Sequence, residues 1–281
     1  MLMQNIFGRG DFALLNEFRS PLLAFALALV LALGGRWMKS AMLCAAATGV
    51  GIAAGWYLMA GNPFTLNPRL PVDRLVPVAL AALAILLLAA RFAATKGIWP
   101  PLILTALLTG WWLAGGPRNQ PDAIAAWPIV ASAAATVLIA GWIAGRPGAD
   151  PLRPAMAGAV LAASLYIAAA PWVWVLLALV PAAAALPMLF APRMLNLVLL
   201  PPLTAIAATA VLAVLNLGRL PKGAFKLADA AALSPLLALI LLTPIATRLR
   251  FAGQLGPFLA AMLSGGIAVA AIWGLRAGRL L

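Results

Sequence analysis

Residues 75–90 read LVPVALAALAILLLAA, an apolar run without a single charged side chain. The chain contains nine further apolar runs, separated by charged or Pro/Gly-rich breaks: residues 20–35, 40–60, 97–116, 123–145, 154–169, 171–191, 195–216, 229–247 and 255–275. Most approach the length of about 20 residues at which a helix crosses the hydrocarbon core of a bilayer. The pattern predicts an all-α, polytopic transmembrane helix bundle of about ten spans.

The composition supports this fold class. Of the 281 residues, 65% are hydrophobic and only 9% are charged, and the mean hydropathy is +1.06. A water-soluble domain of this length could not bury so much apolar surface. The alternation that would indicate a β-barrel is not visible. We expect residues 20–281 to form one transmembrane domain, and residues 1–19, with Phe12, Leu15 and Phe18, to be an interfacial segment ahead of a retained first helix.

The number of spans depends on residues 154–191, where Ala168 and Pro171 lie in a stretch without charges. A helical hairpin, one kinked span or a re-entrant segment would each fit, so eight to ten spans are compatible with the pattern. The 19 Lys and Arg residues do not fix the orientation: ten spans put ten on the side of the termini and nine on the other, and a single crossing at 154–191 gives eight and eleven.

The net charge of +13 comes from basic residues spread over the predicted loops, one to three in each. This spread is typical of topology signals and of contacts with anionic lipids, and the chain shows no basic stripe of the kind that binds nucleic acid. The expected partners are therefore membrane lipids, with other proteins or a second copy of the chain as further candidates, and no nucleic acid.

The near-balance of charge suggests two halves of opposite orientation, 20–145 and 154–275, with five predicted spans each. At an offset of 134, the segment from Pro101 to Thr109 aligns with that from Pro235 to Thr243, although an offset of 101 gives a competing register. The span count is similar to that of the drug/metabolite transporter superfamily, in which ten helices form two five-helix repeats. That resemblance implies a carrier; no motif accompanies it, so no residue roles are transferred.

Catalytic and metal-binding side chains are scarce. The chain has no histidine and one cysteine, Cys44, and its six carboxylates are predicted to lie in loops or at helix ends: Asp11, Glu17, Asp73, Asp122, Asp150 and Asp229. Proton relays, zinc sites, histidine-bound haem and Ser-His-Asp hydrolysis all need groups that are missing here. We therefore predict no catalytic, cofactor-binding or metal-binding residues.

Helix starts explain most of the acidic positions. Ser20 before Pro21 and Asp150 before Pro151 fit an N-cap followed by proline, and Asp73, Asp122 and Asp229 would sit at the positive ends of helix dipoles.

Small residues and prolines within the runs predict how the helices pack and bend. Small residues lie four positions apart in three pairs: Gly51 and Gly55, Gly141 and Gly145, and Ser132 and Thr136. This spacing permits close helix approach in lipid. Prolines inside the predicted spans would break the backbone hydrogen-bond ladder and free carbonyls: Pro100, Pro101, Pro181, Pro187, Pro201, Pro202, Pro235 and Pro244.

Most of the ten tryptophans lie near the ends of runs, as interfacial anchors do. An alternative role is an aromatic wall around a hydrophobic or cationic substrate, formed by Trp111, Trp112, Trp172 and Trp174.

Three classes of function fit these features. The leading interpretation is a transporter, not coupled to protons, of a small neutral or apolar solute; the alternative is a non-catalytic membrane subunit or scaffold, and a lipid-modifying enzyme is third. A polar cavity lined by Asn196, Thr204, Thr209, Asn216 or Thr243 would favour the carrier, and a dry bundle with an exposed apolar flank the subunit. The richness in alanine, proline and leucine suggests the inner membrane of a bacterium with a GC-rich genome.

Overall fold

The structure is a computed structural model that describes residues 17–60, 71–92, 99–114, 152–190, 199–217, 225–249 and 255–278, together with positions 131, 135 and 138. Within these ranges all regular structure is helical. The α-helices are α1 Arg19–Trp37, α2 Ala41–Tyr57, α3 Leu75–Phe92, α4 Trp99–Ala114, α5 Leu152–Ile167, α6 Trp172–Ala185, α7 Leu200–Leu217, α8 Phe225–Arg248 and α9 Gly256–Ala277. Short 3₁₀ turns, Pro71–Arg74 and Leu186–Phe190, precede α3 and follow α6. The all-α prediction is confirmed.

Four segments of the described chain are long and apolar enough to cross a membrane. They are Arg19–Trp37, Trp172–Leu189, Asp229–Arg248 and Gly256–Ala277. The other described helices coincide with predicted runs but are shorter. The predicted span at 123–145 lies outside the described residues, apart from three isolated positions. The transmembrane character is thus supported by four helices, and the count of ten is not confirmed.

The described helices run between two ends of the bundle, and each is antiparallel to the next except α4 and α5, which run in the same direction. At one end, called the proximal end, the ring centroids of Phe18 and Trp172 lie 5.8 Å apart, which joins the starts of α1 and α6. Ile167, Leu227 and Ile272 form a cluster that brings the ends of α5 and α9 to the start of α8. The opposite, distal end carries a second cluster that joins α1, α2, α3 and the turn after α6: Ala32, Ala47, Leu83, Leu86 and Met188.

Residues 154–190 form two packed helices joined by a turn, which is incompatible with one kinked span. The α5 helix ends in a turn in which Ala169 has a φ of 56° and the Ala170 N–H donates to the Leu165 carbonyl at 3.0 Å. This left-handed position usually carries glycine. The chain then reverses into α6, and Gly158 of α5 lies directly against Ala182.

The α7 helix lies at the centre of the bundle. It packs against α2, α3, α4, α5, α6 and α8, and every residue from 199 to 210 is buried. Four of these twelve positions are alanine, and two are threonine. Small side chains on all sides allow six neighbours to surround one helix.

The α1 and α2 helices have the most extensive contact among the described helices, and glycines permit their close approach. A Cβ atom at Gly51 would lie 2.6 Å from the Ala24 carbonyl oxygen, and one at Gly55 would lie 2.9 Å from that of Ser20. The predicted packing role of this glycine pair is confirmed. The other two small-residue pairs, at 132 and 136 and at 141 and 145, lie outside the described residues.

Two of the predicted helix starts are wrong. The α1 helix begins at Arg19, so Ser20 is its second residue and makes no cap. The α8 helix begins at Phe225, four residues ahead of Asp229, because Leu227 is buried against the ends of α5 and α9 and extends the helix backwards. Asp73 lies in the turn just before α3, as predicted. Asp122 and Asp150 lie outside the described residues.

The proline prediction also needs correction. Pro100 and Pro101 lie in the first turn of α4, and Pro201 and Pro202 in that of α7, where the missing N–H would have no helical partner. Pro187 lies in the 3₁₀ turn that ends α6. The prolines that do interrupt helices are Pro181 in α6 and Pro235 and Pro244 in α8.

The predicted five-plus-five repeat is not confirmed. The α5 helix, which would correspond to α1, packs against α6, α8 and α9, whereas α1 packs chiefly against α2 and α6. The aligned prolines differ in position as well, since Pro101 is the third residue of α4 and Pro235 the eleventh of α8.

Candidate functional site

Of the five polar residues predicted to line a cavity, the structure describes the side chains of three. Thr204 and Thr209 are fully buried on α7, and Thr243 is half-buried on α8. Asn196 and the side chain of Asn216 lie outside the described residues. The structure therefore concentrates the candidate site on the central helix.

The two buried threonines differ in how their hydroxyls are satisfied. The Thr209 hydroxyl donates to the Ala205 carbonyl at 2.9 Å, one turn earlier in α7. The Thr204 hydroxyl has no hydrogen-bond partner in the described part of the chain, and neither has that of Ser164, which is fully buried on α5. An unsatisfied buried hydroxyl costs about 1–3 kcal/mol. Sequence reasoning missed Ser164, because nothing in an alanine-rich run marks one serine from another.

A cavity of about 20 Å³ lies between α5, α7 and α8. Its lining is entirely apolar: Ala157, Leu203, Ile206, Ala207, Ala210, Ala232, Pro235, Leu236 and Leu239. This is room for about one water molecule, and the walls offer that water no side-chain partner. The cavity is thus a dry gap in a closed bundle, without the polar lining that the sequence analysis predicted for a carrier.

The two unpartnered hydroxyls lie on helices that enclose this cavity. Ser164 is seven residues, or two turns, beyond Ala157, so the two share a face of α5. Thr204 is three residues from Ala207 and is its neighbour on the surface of α7. Thr204 is near the distal start of α7, and Ser164 is near the proximal end of α5. The described part of the bundle therefore has a buried hydroxyl without a partner toward each end.

In α8, which forms the third wall of the cavity, a side chain replaces a backbone hydrogen bond that proline removes. Pro235 lacks the N–H that would donate to the Ala231 carbonyl, four residues earlier. The Ser234 hydroxyl donates to that carbonyl instead, at 2.7 Å. Such side-chain substitution is how transmembrane helices tolerate proline, and it leaves a point at which the helix can bend.

The tryptophans have two kinds of environment. Trp37, Trp111, Trp172 and Trp273 are exposed near helix ends, as anchors would be, whereas Trp56 and Trp174 are buried. The Trp56 indole N–H donates to the Leu177 carbonyl at 3.1 Å and ties α2 to α6.

The predicted aromatic wall is not confirmed, because its members have different partners. Trp172 packs edge-on against Phe18 and Tyr166, whereas the Trp112 indole N–H donates to the Arg74 carbonyl at 3.0 Å. Arg74 in turn donates to the Leu113 carbonyl, which fixes the end of α4 at the proximal side.

A second cavity, of about 480 Å³, lies at the proximal end between the start of α1, the end of α2 and the start of α6. Its lining is mixed: Glu17, Arg19, Ser20, Leu58, Met59, Val173 and Leu176. Among the described residues no group of three or more His, Cys, Asp or Glu side chains could hold a metal ion.

Comparisons with known proteins supply no relative. The chain matches no protein-family model, and no curated protein or solved structure has a detectable match to it. The similarity in layout to drug/metabolite transporters therefore rests on the predicted span count alone.

Proposed function

We propose that this chain is a carrier in the bacterial inner membrane that moves a small neutral or apolar solute, without proton coupling, along the faces of α5, α7 and α8. The observation that carries the proposal is the pair of buried hydroxyls without partners, Thr204 and Ser164, on two helices that enclose a cavity. Each of these hydroxyls would gain a hydrogen bond from a passing solute or water.

The described bundle corresponds to a closed state in this proposal. A cavity of about 20 Å³ cannot hold a solute, so transport requires α8 to move away from α5 and α7. The proline break at Pro235 gives α8 a place to bend, and alanines at 157, 207, 210 and 232 leave little side-chain interlocking to undo. Hydroxyl groups do not titrate near neutral pH, which favours transport that is independent of a proton gradient.

The arrangement of the described helices supports ten spans. The α4 helix ends at the proximal side, where Arg74 contacts Leu113, whereas α5 begins at the distal side and returns to the proximal turn before α6. A chain that passes from one side to the other needs an odd number of crossings between these helices. One crossing there would raise the nine described helices to ten spans.

The first test uses Cys44 as a reporter of unfolding. It is the chain's one cysteine and is fully buried, so a thiol-reactive dye reports thermal unfolding of the detergent-purified protein. Small neutral solutes are screened for those that raise the midpoint temperature of unfolding. A solute that the protein carries should no longer raise this temperature in Thr204→Val. It should still raise it in Thr209→Val, the matched control whose hydroxyl is satisfied within α7.

Uptake of the solute into proteoliposomes then tests transport itself. Uptake should persist when a protonophore collapses the pH gradient and should fall in Thr204→Val and Ser164→Ala. A strict dependence on the pH gradient, or equal loss in Thr209→Val, would contradict the proposal.

A non-catalytic membrane subunit is the second candidate, and two observations favour it: the apolar lining of the cavity between α5, α7 and α8, and the exposed face of α9. This helix packs against α8 and α5 on one side and exposes large apolar side chains on the other: Leu255, Phe258, Leu259, Met262, Leu263, Ile267, Trp273 and Leu275. Lipid or a partner helix would cover such a face equally well. Purification in mild detergent followed by mass spectrometry decides between them, since a stoichiometric partner protein would replace the carrier proposal.

A further inference from the structure

The proximal cavity combines charged and polar groups with an apolar floor. Glu17 and Arg19 line it from the start of α1, and no ion pair joins the two to each other or to another described residue. Ser20 lines it as well, and only 3% of this residue is exposed. The lining of the cavity thus includes one acidic side chain, one basic side chain and one hydroxyl.

The apolar part of the lining comes from two other helices. Leu58 and Met59 follow the end of α2, and Val173 and Leu176 belong to the first turns of α6. Trp172, 41% exposed, packs edge-on against Phe18 beside the charged groups. Helix ends that carry exposed tryptophan lie at the level of lipid headgroups. The cavity is therefore at the depth where a headgroup meets the first acyl carbons.

We propose that this cavity binds a phospholipid whose headgroup carries both a phosphate and an ammonium group. The Arg19 guanidinium matches the phosphate oxygens, the Glu17 carboxylate matches the ammonium, and the Ser20 hydroxyl donates to a phosphate oxygen. The four apolar side chains contact the glycerol region and the first methylenes of the acyl chains. An anionic lipid without an amine would satisfy Arg19 and leave Glu17 facing a negative charge. The site does not depend on the carrier proposal.

Native mass spectrometry of the detergent-purified full chain tests the proposal, with phosphatidylethanolamine and phosphatidylglycerol as the two probes. Wild type should bind phosphatidylethanolamine about five-fold more tightly, the size expected for one exposed charge contact. Glu17→Gln should abolish that preference. Arg19→Gln should weaken binding of both lipids by about five-fold, and Arg19→Lys by less.

The matched control is Arg248→Gln, an exposed arginine at the distal end of α8, which should leave both affinities unchanged. Thermal exposure of Cys44 confirms that each variant is folded. Equal affinity of wild type for the two lipids, or the same loss in Arg248→Gln as in Arg19→Gln, would overturn the proposal.

Discussion

The α7 and α9 helices are both apolar, yet one is surrounded by protein and the other lies at the edge of the bundle. The α7 helix buries every residue from 199 to 210, and α9 buries only one stripe: Gly256, Ala260, Ala261, Ser264, Gly265, Ala268 and Ile272. Apart from Ile272, that stripe consists of small residues, and the large side chains of α9 point outward. In lipid, hydrophobicity does not distinguish the inside of a protein from the outside, whereas side-chain size does, because packing holds the helices together.

The largest expected effect comes from removing a large side chain in α7. Leu212 is 1% exposed, so Leu212→Ala should destabilise the protein by about 2 kcal/mol through lost packing contacts. The matched variant Leu263→Ala removes a side chain that is 51% exposed on α9 and should change stability by less than about 0.5 kcal/mol. The temperature at which Cys44 becomes reactive measures the stability of both variants, and Leu212→Ala should lower it by roughly 5 °C. Equal drops would mean that α9 is covered by protein.

The second prediction adds bulk to neighbouring glycines of α9. A Cβ atom at Gly265 would lie 3.1 Å from Val160 of α5, whereas one at Gly266 would meet nothing within 4 Å. Gly265→Leu should therefore separate α9 from α5 and cost about 1.5 kcal/mol. Gly266→Leu should be neutral in lipid if α9 is peripheral. Destabilisation by Gly266→Leu in the membrane, measured in nanodiscs by the same assay, would instead identify a partner on that face.

Helix positions were predictable from the sequence because charged or Pro/Gly-rich breaks separate the apolar runs. A proline lies at or near the start of most described helices: Pro21, Pro77, Pro100, Pro101, Pro154, Pro171, Pro201, Pro202 and Pro257. The first turn has free N–H positions, so proline costs nothing there. The turn at Ala169 could not be predicted, because alanine stands where glycine usually marks a left-handed helix cap.

The arrangement of the helices was not predictable in the same way. Every run is apolar on all sides, so no amphipathic stripe marked α7 as central or the inner face of α5. Thr204 and Thr209 were recognised as polar positions, but their difference in hydrogen bonding depends on local geometry within one helix. Ser164 became a candidate only when α5 was placed beside α7 and α8.

The smallest expected effect separates a satisfied hydroxyl on α9 from an unsatisfied one on α7. The Ser264 hydroxyl lies 3.2 Å from the Ala261 carbonyl oxygen and 3.1 Å from the Met156 sulfur, so Ser264→Ala should cost about 0.6 kcal/mol, the usual value for a polar contact between membrane helices. Thr204→Val replaces a hydroxyl without a partner by a methyl group of similar size and should stabilise the protein by up to about 1 kcal/mol. The two midpoints should therefore move in opposite directions in the Cys44 assay. A loss of stability in Thr204→Val would mean that the Thr204 hydroxyl is satisfied in the resting protein. The carrier proposal would then lose one of the two unpartnered hydroxyls on which it depends.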